Sequence, residues 1–171
     1  TGNILLLSRL DNQNITPECQ SYELDEQIRH TVLELEEKWA KKDLELDIDM
    51  DTTRCNAPKD LLHHVWYNLI SNAIKFTQKD GKIVIRLDSQ GGWITATVSD
   101  TGIGMTTDVQ EHIFEKFYQG DTSHKVEGNG LGLPLVKRIV KVCGGNVDVK
   151  SVSDIGSTFT VTIPQDCTKP D

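Results

Sequence analysis

Apolar residues recur along the chain with two periods, one typical of helices and one typical of strands. Apolar side chains return every three or four residues, as on one face of a helix, in residues 24–42, 61–77 and 131–143. Runs with the composition and alternation of strands occupy residues 44–50, 82–87, 93–99, 146–151 and 157–163. The pattern therefore predicts an α+β fold of two layers, with about five strands and three long helices.

Three shorter segments complete this pattern. Residues 4–10 are apolar and end at a polar run, which predicts the last turns of a helix, and residues 109–114 predict a short amphipathic helix. Residues 118–129 (YQGDTSHKVEGN) have no periodicity and little apolar content. We expect a loop there, and a loop of this length inside a compact domain is usually functional.

The composition excludes several classes of function. The chain has 171 residues, of which 37% are hydrophobic and 26% charged, as in ordinary globular domains. No apolar run approaches the ~20 residues of a membrane-spanning helix, and a net charge of −8 argues against a nucleic-acid partner. The four cysteines show no metal-ligand spacing, so we expect reduced, scattered thiols.

Residues 61–77 (LLHHVWYNLISNAIKFT) predict a helix with a polar line beside its apolar stripe. His64, Asn68, Asn72 and Lys75 fall on that line at helical spacing. An amide oxygen is a suitable ligand for Mg²⁺, and a lysine one turn further along suits a phosphate. Two asparagines four residues apart are also common on solvated helix surfaces, so this segment alone leaves both interpretations open.

The segment VSDTGIGM, residues 98–105, ends a predicted strand. Ile94, Ala96 and Val98 share one strand face, and Asp100 continues that face, so its carboxylate is expected to point inward. Gly102 and Gly104 would let the backbone approach a flat ligand closely. A purine amino group donating to Asp100 fits this arrangement; a simple turn with Asp as its cap is the alternative.

The segment GNGLGL, residues 128–133, leads from the loop into the last predicted helix. Its glycines expose backbone N–H groups, and the start of the helix adds positive potential, which together suit a phosphate chain. No Lys-Ser/Thr follows the glycines, so the segment is not a P-loop, and no parallel strand leads directly into it as in dinucleotide-binding folds.

The order of these motifs resembles the ATP-binding domain of sensor histidine kinases, in the superfamily that also holds DNA gyrase, mismatch-repair ATPases and related chaperones. The resemblance covers residues ~24–164 and lies in NLISNAIKFT, DTGIGM, IFEKFYQGD and GNGLGLPLVKRI. It implies a Bergerat-type ATP-binding fold, a two-layer α/β sandwich with a mixed sheet and the helices on one face. It also implies ATP and Mg²⁺ as cofactors.

The resemblance assigns roles to individual residues. Asn72 and Lys75 would be catalytic, with Asn72 as the Mg²⁺ ligand, Lys75 on the phosphates and Asn68 beside them. Asp100 would accept a hydrogen bond from the adenine amino group. The remaining implied binding residues line the base or hinge a lid over the phosphates: Gly102, Gly104, Tyr118, Gly128, Gly130, Leu131, Gly132 and Leu133. Phe114 and Phe117 would anchor that lid, and IFEKF taken alone also fits core packing.

The chain departs from the family pattern at two places. Gln119 and His124, followed by Lys125, stand where many members carry an arginine, so the γ-phosphate contact from this region is open. His64 stands where members often have Gln or Glu, and we expect a packed, hydrogen-bonded histidine there.

The phospho-acceptor histidine of the family has no counterpart in this sequence. None of the five histidines is followed by the acidic residue and nearby Thr-Pro typical of it. Residues 1–14 resemble the end of the dimerisation and acceptor hairpin, and residues 15–171 the catalytic domain. The expected partners are that hairpin and, indirectly, a response regulator, with no nucleic-acid or membrane contact. We expect a monomeric, cytoplasmic fragment of a homodimeric, membrane-anchored parent.

Two other functions are compatible with these motifs. A conformational ATPase clamp would need a carboxylate on the asparagine-bearing helix to activate water, and residues 61–77 contain none. A nucleotide-sensing module or serine-kinase relative that binds a regulatory protein would keep the same nucleotide motifs.

Overall fold

The computed structural model describes residues 2–12, 17–118 and 132–168, which contain six helices and seven strands. The helices are α1 (Gly2–Asn12), α2 (Leu24–Glu34), α3 (Glu36–Lys41), α4 (Lys59–Phe76), α5 (Thr107–His112) and α6 (Gly132–Val142). The strands are β1 (Gln20–Glu23), β2 (Glu45–Met50), β3 (Arg54–Ala57), β4 (Lys82–Gln90), β5 (Trp93–Asp100), β6 (Asn146–Val152) and β7 (Gly156–Pro164).

A mixed sheet of five strands, in the order β2-β4-β5-β7-β6, forms one layer. β2 runs parallel to β4, and the other neighbours are antiparallel. One face of the sheet is buried and carries Ile85, Val98 and Phe159. The residues that alternate with these along each strand point to the other face and are partly exposed. The predicted alternation of apolar and polar positions is therefore confirmed, and it places the core on one side of the sheet.

Helices α2, α4 and α6 form the second layer, with α4 in the middle. Helix α4 packs against both α2 and α6 and against strand β5. Its apolar stripe is fully buried, including Leu62, Val65, Trp66 and Leu69. The predicted α+β sandwich with three long helices is confirmed, and the helix that carries the two asparagines is the centre of the helical layer.

A second, two-stranded sheet was absent from the sequence prediction. Strands β1 and β3 pair antiparallel, with Tyr22 opposite Cys55. The C-terminal segment lies beside β3, where the Asn56 N–H donates to the Gln165 carbonyl at 2.9 Å and the Cys167 N–H donates to the Asn56 carbonyl at 2.8 Å. Strands of four residues are too short to show a period, so pairing between distant segments decides them.

The predicted helix over residues 24–42 is broken at Leu35, between α2 and α3. The indole N–H of Trp39 donates to the Val32 carbonyl at 2.9 Å, and the Leu35 N–H is shared between the carbonyls of Thr31 and Val32 at 3.2 Å each. A side chain that takes a backbone acceptor interrupts the regular helical ladder. The helical period continues through the break, which explains why the sequence pattern did not reveal it.

A buried glutamine joins the helical layer to the small sheet. The Gln27 side-chain oxygen accepts from the Tyr22 hydroxyl at 3.1 Å and from the Trp66 indole at 3.0 Å. Its amide nitrogen donates to the Lys59 carbonyl at 2.8 Å. This network holds the start of α4 against α2 and β1.

The C-terminal end of α4 is held by a lysine from another element. The Lys42 ammonium donates to the carbonyls of Ile74, Lys75 and Thr77 at 2.7, 3.0 and 3.0 Å. These are carbonyls at the end of the helix, which lack partners within it and carry its negative dipole end. Lys42 therefore uses all three of its hydrogens to fix the part of α4 that carries Asn72 and Lys75.

Replacing Lys42 with Met is expected to destabilise the fold by roughly 1–3 kcal/mol, because helix-end carbonyls lose a charged donor. Urea unfolding followed by circular dichroism measures this. The matched control is Lys41→Met on the exposed neighbouring residue, which is expected to leave stability nearly unchanged. Equal stability of the two variants would show that the Lys42 contacts contribute nothing.

Helix α1 packs on α6 through Leu7 and Leu10, which are buried. Asp11 forms ion pairs with Lys116 at 2.7 Å and with Arg138 at 3.5 Å. The Arg138 guanidinium also donates to the Leu10 carbonyl at 3.0 Å.

Within the described ranges, no helix combines the length and apolar character required to cross a membrane.

Candidate functional site

The end of α4 and the loop after β5 are joined by a direct backbone contact. The Ile103 N–H donates to the Phe76 carbonyl at 3.2 Å. A Cβ on Gly102 would lie 2.5 Å from the same carbonyl oxygen, so only glycine permits this approach. The structure therefore brings the asparagine-bearing helix and the DTGIGM segment together, as the site prediction requires.

Asp100 lies half-buried at the end of β5, on the face of the strand that Val98 also occupies. Its Oδ1 accepts from the Gly102 N–H at 2.8 Å and from the Ser157 N–H at 3.3 Å. No donor among the described residues reaches Oδ2. Burial raises the pKa of the Asp100 carboxyl, and the two backbone hydrogen bonds offset this only in part. The carboxylate thus retains an acceptor for a ligand in a partly desolvated position.

Ser157 is a site residue that sequence reasoning missed. It lies opposite Asp100 in the β5–β7 pair, and its neighbour Gly156 lies so close that a Cβ there would meet the Asp100 carbonyl oxygen at 2.0 Å. Residues 100 and 157 are distant in sequence, and no local pattern predicts their pairing. The Gly-Ser turn into the last strand was the one sequence signal at this position.

The structure gives Gly104 a reason that differs from the one inferred from the sequence. Gly104 has φ +66°, and a Cβ there would lie 2.0 Å from the Val152 carbonyl oxygen. The close approach that demands glycine is therefore to the end of β6, as it is to the end of α4 for Gly102. The need for glycine at both positions comes from the protein's own backbone, whether or not a ligand also lies against them.

Asn68 lies where α4 meets Gly132, the first described residue of α6. Its amide nitrogen donates to the His64 carbonyl at 2.7 Å, and a Cβ on Gly132 would lie 2.8 Å from its Oδ1. The start of α6, where the first N–H groups of a helix have no acceptor within the helix, therefore lies beside the polar line of α4. Leu133 is buried in the core, so it can offer a ligand only its backbone N–H.

Asn72 and Lys75 lie on the same polar line, one turn and two turns beyond Asn68. Asn72 is half-buried and Lys75 is exposed. No hydrogen bond to the Asn72 amide is found in the part of the chain that the structure describes. A half-buried amide whose oxygen remains available fits a ligand of Mg²⁺, which takes neutral oxygen donors.

His64 is half-buried on α4, as expected for a packed histidine. Its ring lies 6.1 Å from that of His63, but no described residue forms a hydrogen bond with it, so the expectation of a hydrogen-bonded ring is wrong. Burial lowers the pKa of His64, and the neighbouring His63 lowers it further. The ring is therefore neutral at pH 7, and it does not add positive charge to the site.

The aromatic residues after α5 have separate roles. Phe114 is partly buried, lies edge-on to Phe159 at 6.3 Å between ring centres and packs against the core. Phe117 has φ +65° and a side chain that is 66% exposed, so it does not anchor in the core. Tyr118 is half-buried and lies 5.5 Å from the His112 ring. The predicted site residues Gly128, Gly130 and Leu131, with Gln119 and His124, lie outside the described residues.

Comparisons with known proteins identify the family of the chain. Residues 57–166 match the family described as histidine kinase-, DNA gyrase B- and HSP90-like ATPases. The chain is 35% identical over 162 residues to the heme sensor protein HssS of Staphylococcus saprophyticus, covering 95% of this chain and 35% of HssS. The chain thus spans about a third of the length of this curated relative.

Solved structures give the same result. The catalytic domain of the histidine kinase ThkA is similar with a TM-score of 0.79 and 28% identity, covering 90% of this chain and 99% of that chain. Full-length ShkA in complex with AMPPNP is similar with a TM-score of 0.84 and 26% identity, covering 95% of this chain and 34% of that chain.

A complex of ThkA with the response regulator protein TrrA matches with a TM-score of 0.81 and 23% identity, covering 99% of this chain and 48% of that chain; it shows the shared fold. The family model covers most of the chain, and both the sequence relative and the structural neighbours are sensor proteins or histidine kinases. The chain therefore belongs to the family of histidine kinase-, DNA gyrase B- and HSP90-like ATPases, as an ATP-binding catalytic domain of the sensor histidine kinase type.

Proposed function

We propose that this chain binds ATP with Mg²⁺ and transfers the γ-phosphoryl group to a histidine on a separate helical hairpin. The observation that carries the proposal is Asp100, whose Oδ1 is held by two backbone N–H groups while no described donor reaches Oδ2. Oδ2 is a hydrogen-bond acceptor at the partly buried end of β5, and it is complementary to the amino group of adenine, which is a donor. The ShkA relative was solved with the ATP analogue AMPPNP.

We expect different residues around Asp100 to bind different parts of the nucleotide. Asn72 would hold Mg²⁺ through its amide oxygen, and the ion would supply charge neutralisation on the phosphates. Lys75 would place a positive charge on the phosphate side, and Gly132 and Leu133 would donate backbone N–H groups from the start of α6. Asn68 keeps that helix start beside α4, so it acts as a positioning residue.

Transfer to a protein side chain fits this site better than hydrolysis. The carboxylate on α4 is Asp60, at the first turn of the helix and beside a cavity lined by Tyr22 and His63, away from Asn72. Position 64, where a water-activating carboxylate would be placed, holds a neutral histidine. Positioning and charge stabilisation are sufficient for phosphoryl transfer to a nucleophilic imidazole.

We further propose that residues 1–14 are the end of the acceptor hairpin and residues 15–171 the catalytic domain. Helix α1 ends at Asn12 and contacts the rest of the chain through α6 and through the ion pair of Asp11 with Lys116. The partners proposed are this hairpin and, through it, a response regulator; ThkA was solved in complex with a response regulator protein. The fragment is proposed to be monomeric and cytoplasmic, and the parent a membrane-anchored homodimer.

Calorimetry of ATP binding tests the proposal directly. We expect ATP to bind more tightly with Mg²⁺ than with EDTA, and more tightly than GTP. The same protein is expected to hydrolyse ATP far more slowly than a conformational ATPase, since α4 carries no carboxylate near Asn72 that could activate water. Absence of ATP binding, or steady ATP turnover without any acceptor, would overturn the kinase assignment.

A further inference from the structure

Ser151, on the edge strand β6, lies in one row of the sheet with Ser157 and Asp100. The register pairs Asp100 with Ser157 and Ser157 with Ser151, so the three side chains share one face of three adjacent strands. The hydroxyl oxygens of Ser151 and Ser157 lie within hydrogen-bond distance at 2.8 Å. The Ser151 hydroxyl also donates to the Gly156 carbonyl at 3.0 Å. Ser151 therefore contacts the start of the strand whose N–H group donates to Asp100.

The same hydroxyl holds the segment that follows Asp100. The Met105 N–H donates to the Ser151 hydroxyl oxygen at 2.8 Å. A serine hydroxyl donates one hydrogen bond and accepts two. With its hydrogen on the Gly156 carbonyl, Ser151 accepts from Met105 and Ser157, so the full hydrogen-bonding capacity of this hydroxyl is used. Ser151 therefore ties together the two segments whose N–H groups donate to Asp100.

Gln110 of α5 holds Ser151 from the outer edge of the sheet. Strand β6 is the last strand of the sheet, so the N–H and C=O groups on its outer side have no neighbouring strand to pair with. The Gln110 side-chain oxygen accepts from the Ser151 N–H at 3.1 Å, and its nitrogen donates to the Ser151 carbonyl at 3.0 Å. The same nitrogen donates to the Met105 carbonyl at 3.2 Å. The glutamine amide thus takes the place of a strand peptide and joins α5 to both Ser151 and Met105.

The position of α5 depends on such side-chain contacts, because a helix of six residues has little stability of its own. Helix α5 packs beside β6, and the amide of Gln110 supplies the hydrogen bonds between them. After α5 the chain continues to Phe114, which packs against the core, and to Tyr118. Gln110 and Ser151 therefore couple the position of α5 to the backbone groups around Asp100.

We propose that Gln110 and Ser151 are positioning residues for base recognition at Asp100. This inference rests on the proposed function, in which Asp100 accepts a hydrogen bond from the adenine amino group. The two residues act through the N–H groups of Gly102 and Ser157, which hold one carboxylate oxygen and thereby orient the other. They lie on the base side of the site, whereas the proposed metal ligand lies on α4. They therefore determine the preference for adenine and not the dependence on Mg²⁺.

Calorimetry of ATP and GTP binding to variants of the whole chain tests this role. Ser151→Ala removes the acceptor of the Met105 N–H, and Gln110→Glu replaces the donor to the Ser151 carbonyl with an oxygen of the same size. Both variants are expected to bind ATP roughly 3–10-fold more weakly, with a reduced preference for ATP over GTP. Both are expected to keep the wild-type ratio of affinities in Mg²⁺ and in EDTA. Ser151→Thr keeps the hydroxyl and suits a strand, so it is expected to restore wild-type binding.

Two matched controls separate positioning from a general loss of stability. Ser99→Ala removes a hydroxyl that lies 2.8 Å from that of Thr158, on the other face of strands β5 and β7. Gln165→Ala removes an amide that donates to the Arg54 carbonyl at 2.9 Å, beyond the opposite end of β7 from Ser157. Both controls are expected to keep the wild-type affinity for ATP and the wild-type base preference. Thermal melting of every variant checks that the protein is folded.

The outcomes distinguish this inference from the proposed function. If the wild type prefers ATP while Ser151→Ala and Gln110→Glu bind both nucleotides as the wild type does, the inference is wrong and the proposed function stands. An equal loss for ATP and GTP, or a loss of the dependence on Mg²⁺, would also overturn the inference alone. A wild type that binds no ATP would overturn both. If Ser151→Ala does not fold, Gln110→Glu decides, because Gln110 is partly exposed on a surface helix.

Discussion

Replacing Asp100 with Asn is expected to weaken ATP binding by roughly 10–100-fold and to leave GTP binding unchanged or stronger. The Asn side-chain oxygen can still accept from the N–H groups of Gly102 and Ser157, which both point at one atom. The nitrogen then replaces Oδ2 and presents hydrogens to the ligand. The adenine amino group is a donor and guanine has an acceptor at that position, so the substitution changes the preference between the two bases.

Competition calorimetry with ATP and GTP measures this change. The matched control is Asp88→Asn, the same substitution at an exposed position of the neighbouring strand β4, for which we expect unaltered binding. Thermal melting of both variants checks that the fold is intact. An equal loss for ATP and GTP would contradict the assignment of Asp100 to base recognition, even if the protein remained folded.

Replacing Asn72 with Ala is expected to remove the dependence of ATP binding on Mg²⁺, with affinity in its presence falling roughly 10–100-fold. Asn72 is half-buried and its side-chain oxygen has no partner among the described residues, so the substitution breaks no hydrogen bond of the fold. The effect is therefore expected in metal-dependent binding and not in stability.

Titrations of the variant in Mg²⁺ and in EDTA separate these effects. Ser71→Ala is the matched control, because Ser71 is the preceding half-buried residue of α4 and its hydroxyl donates to the Asn68 carbonyl at 3.4 Å. We expect this control to keep the tighter binding in Mg²⁺. If Asn72→Ala keeps it too, the metal is held by other residues.

Much of the fold was predictable because its main elements are long and periodic. The stripe from Leu62 to Trp66 and the alternation around Val98 require a buried face, and burial of these faces defines the two layers. The short strands β1 and β3 and the break at Leu35 were not predictable, since each depends on a contact with a distant segment or a side chain.

The candidate site shows the same division. The polar line of α4 and the inward position of Asp100 follow from the periods of their own elements. The contacts that assemble the site come from elsewhere: Ser157 donates to Asp100, Gly132 lies against Asn68, and Lys42 holds the end of α4. These contacts join residues that are far apart in the sequence, so no local sequence pattern predicts them.

By itself, the sequence determined the long helices, the strands of the five-stranded sheet and the faces they bury, and it showed which motifs resemble those of nucleotide-binding domains. Those properties are local, because periodicity and glycine content act within one element. Only the tertiary structure decided why Gly102 and Gly104 must be glycine and which backbone groups hold Asp100. Each of these features depends on close packing between segments that are far apart in the chain, because the backbone of one segment limits the space available to the other.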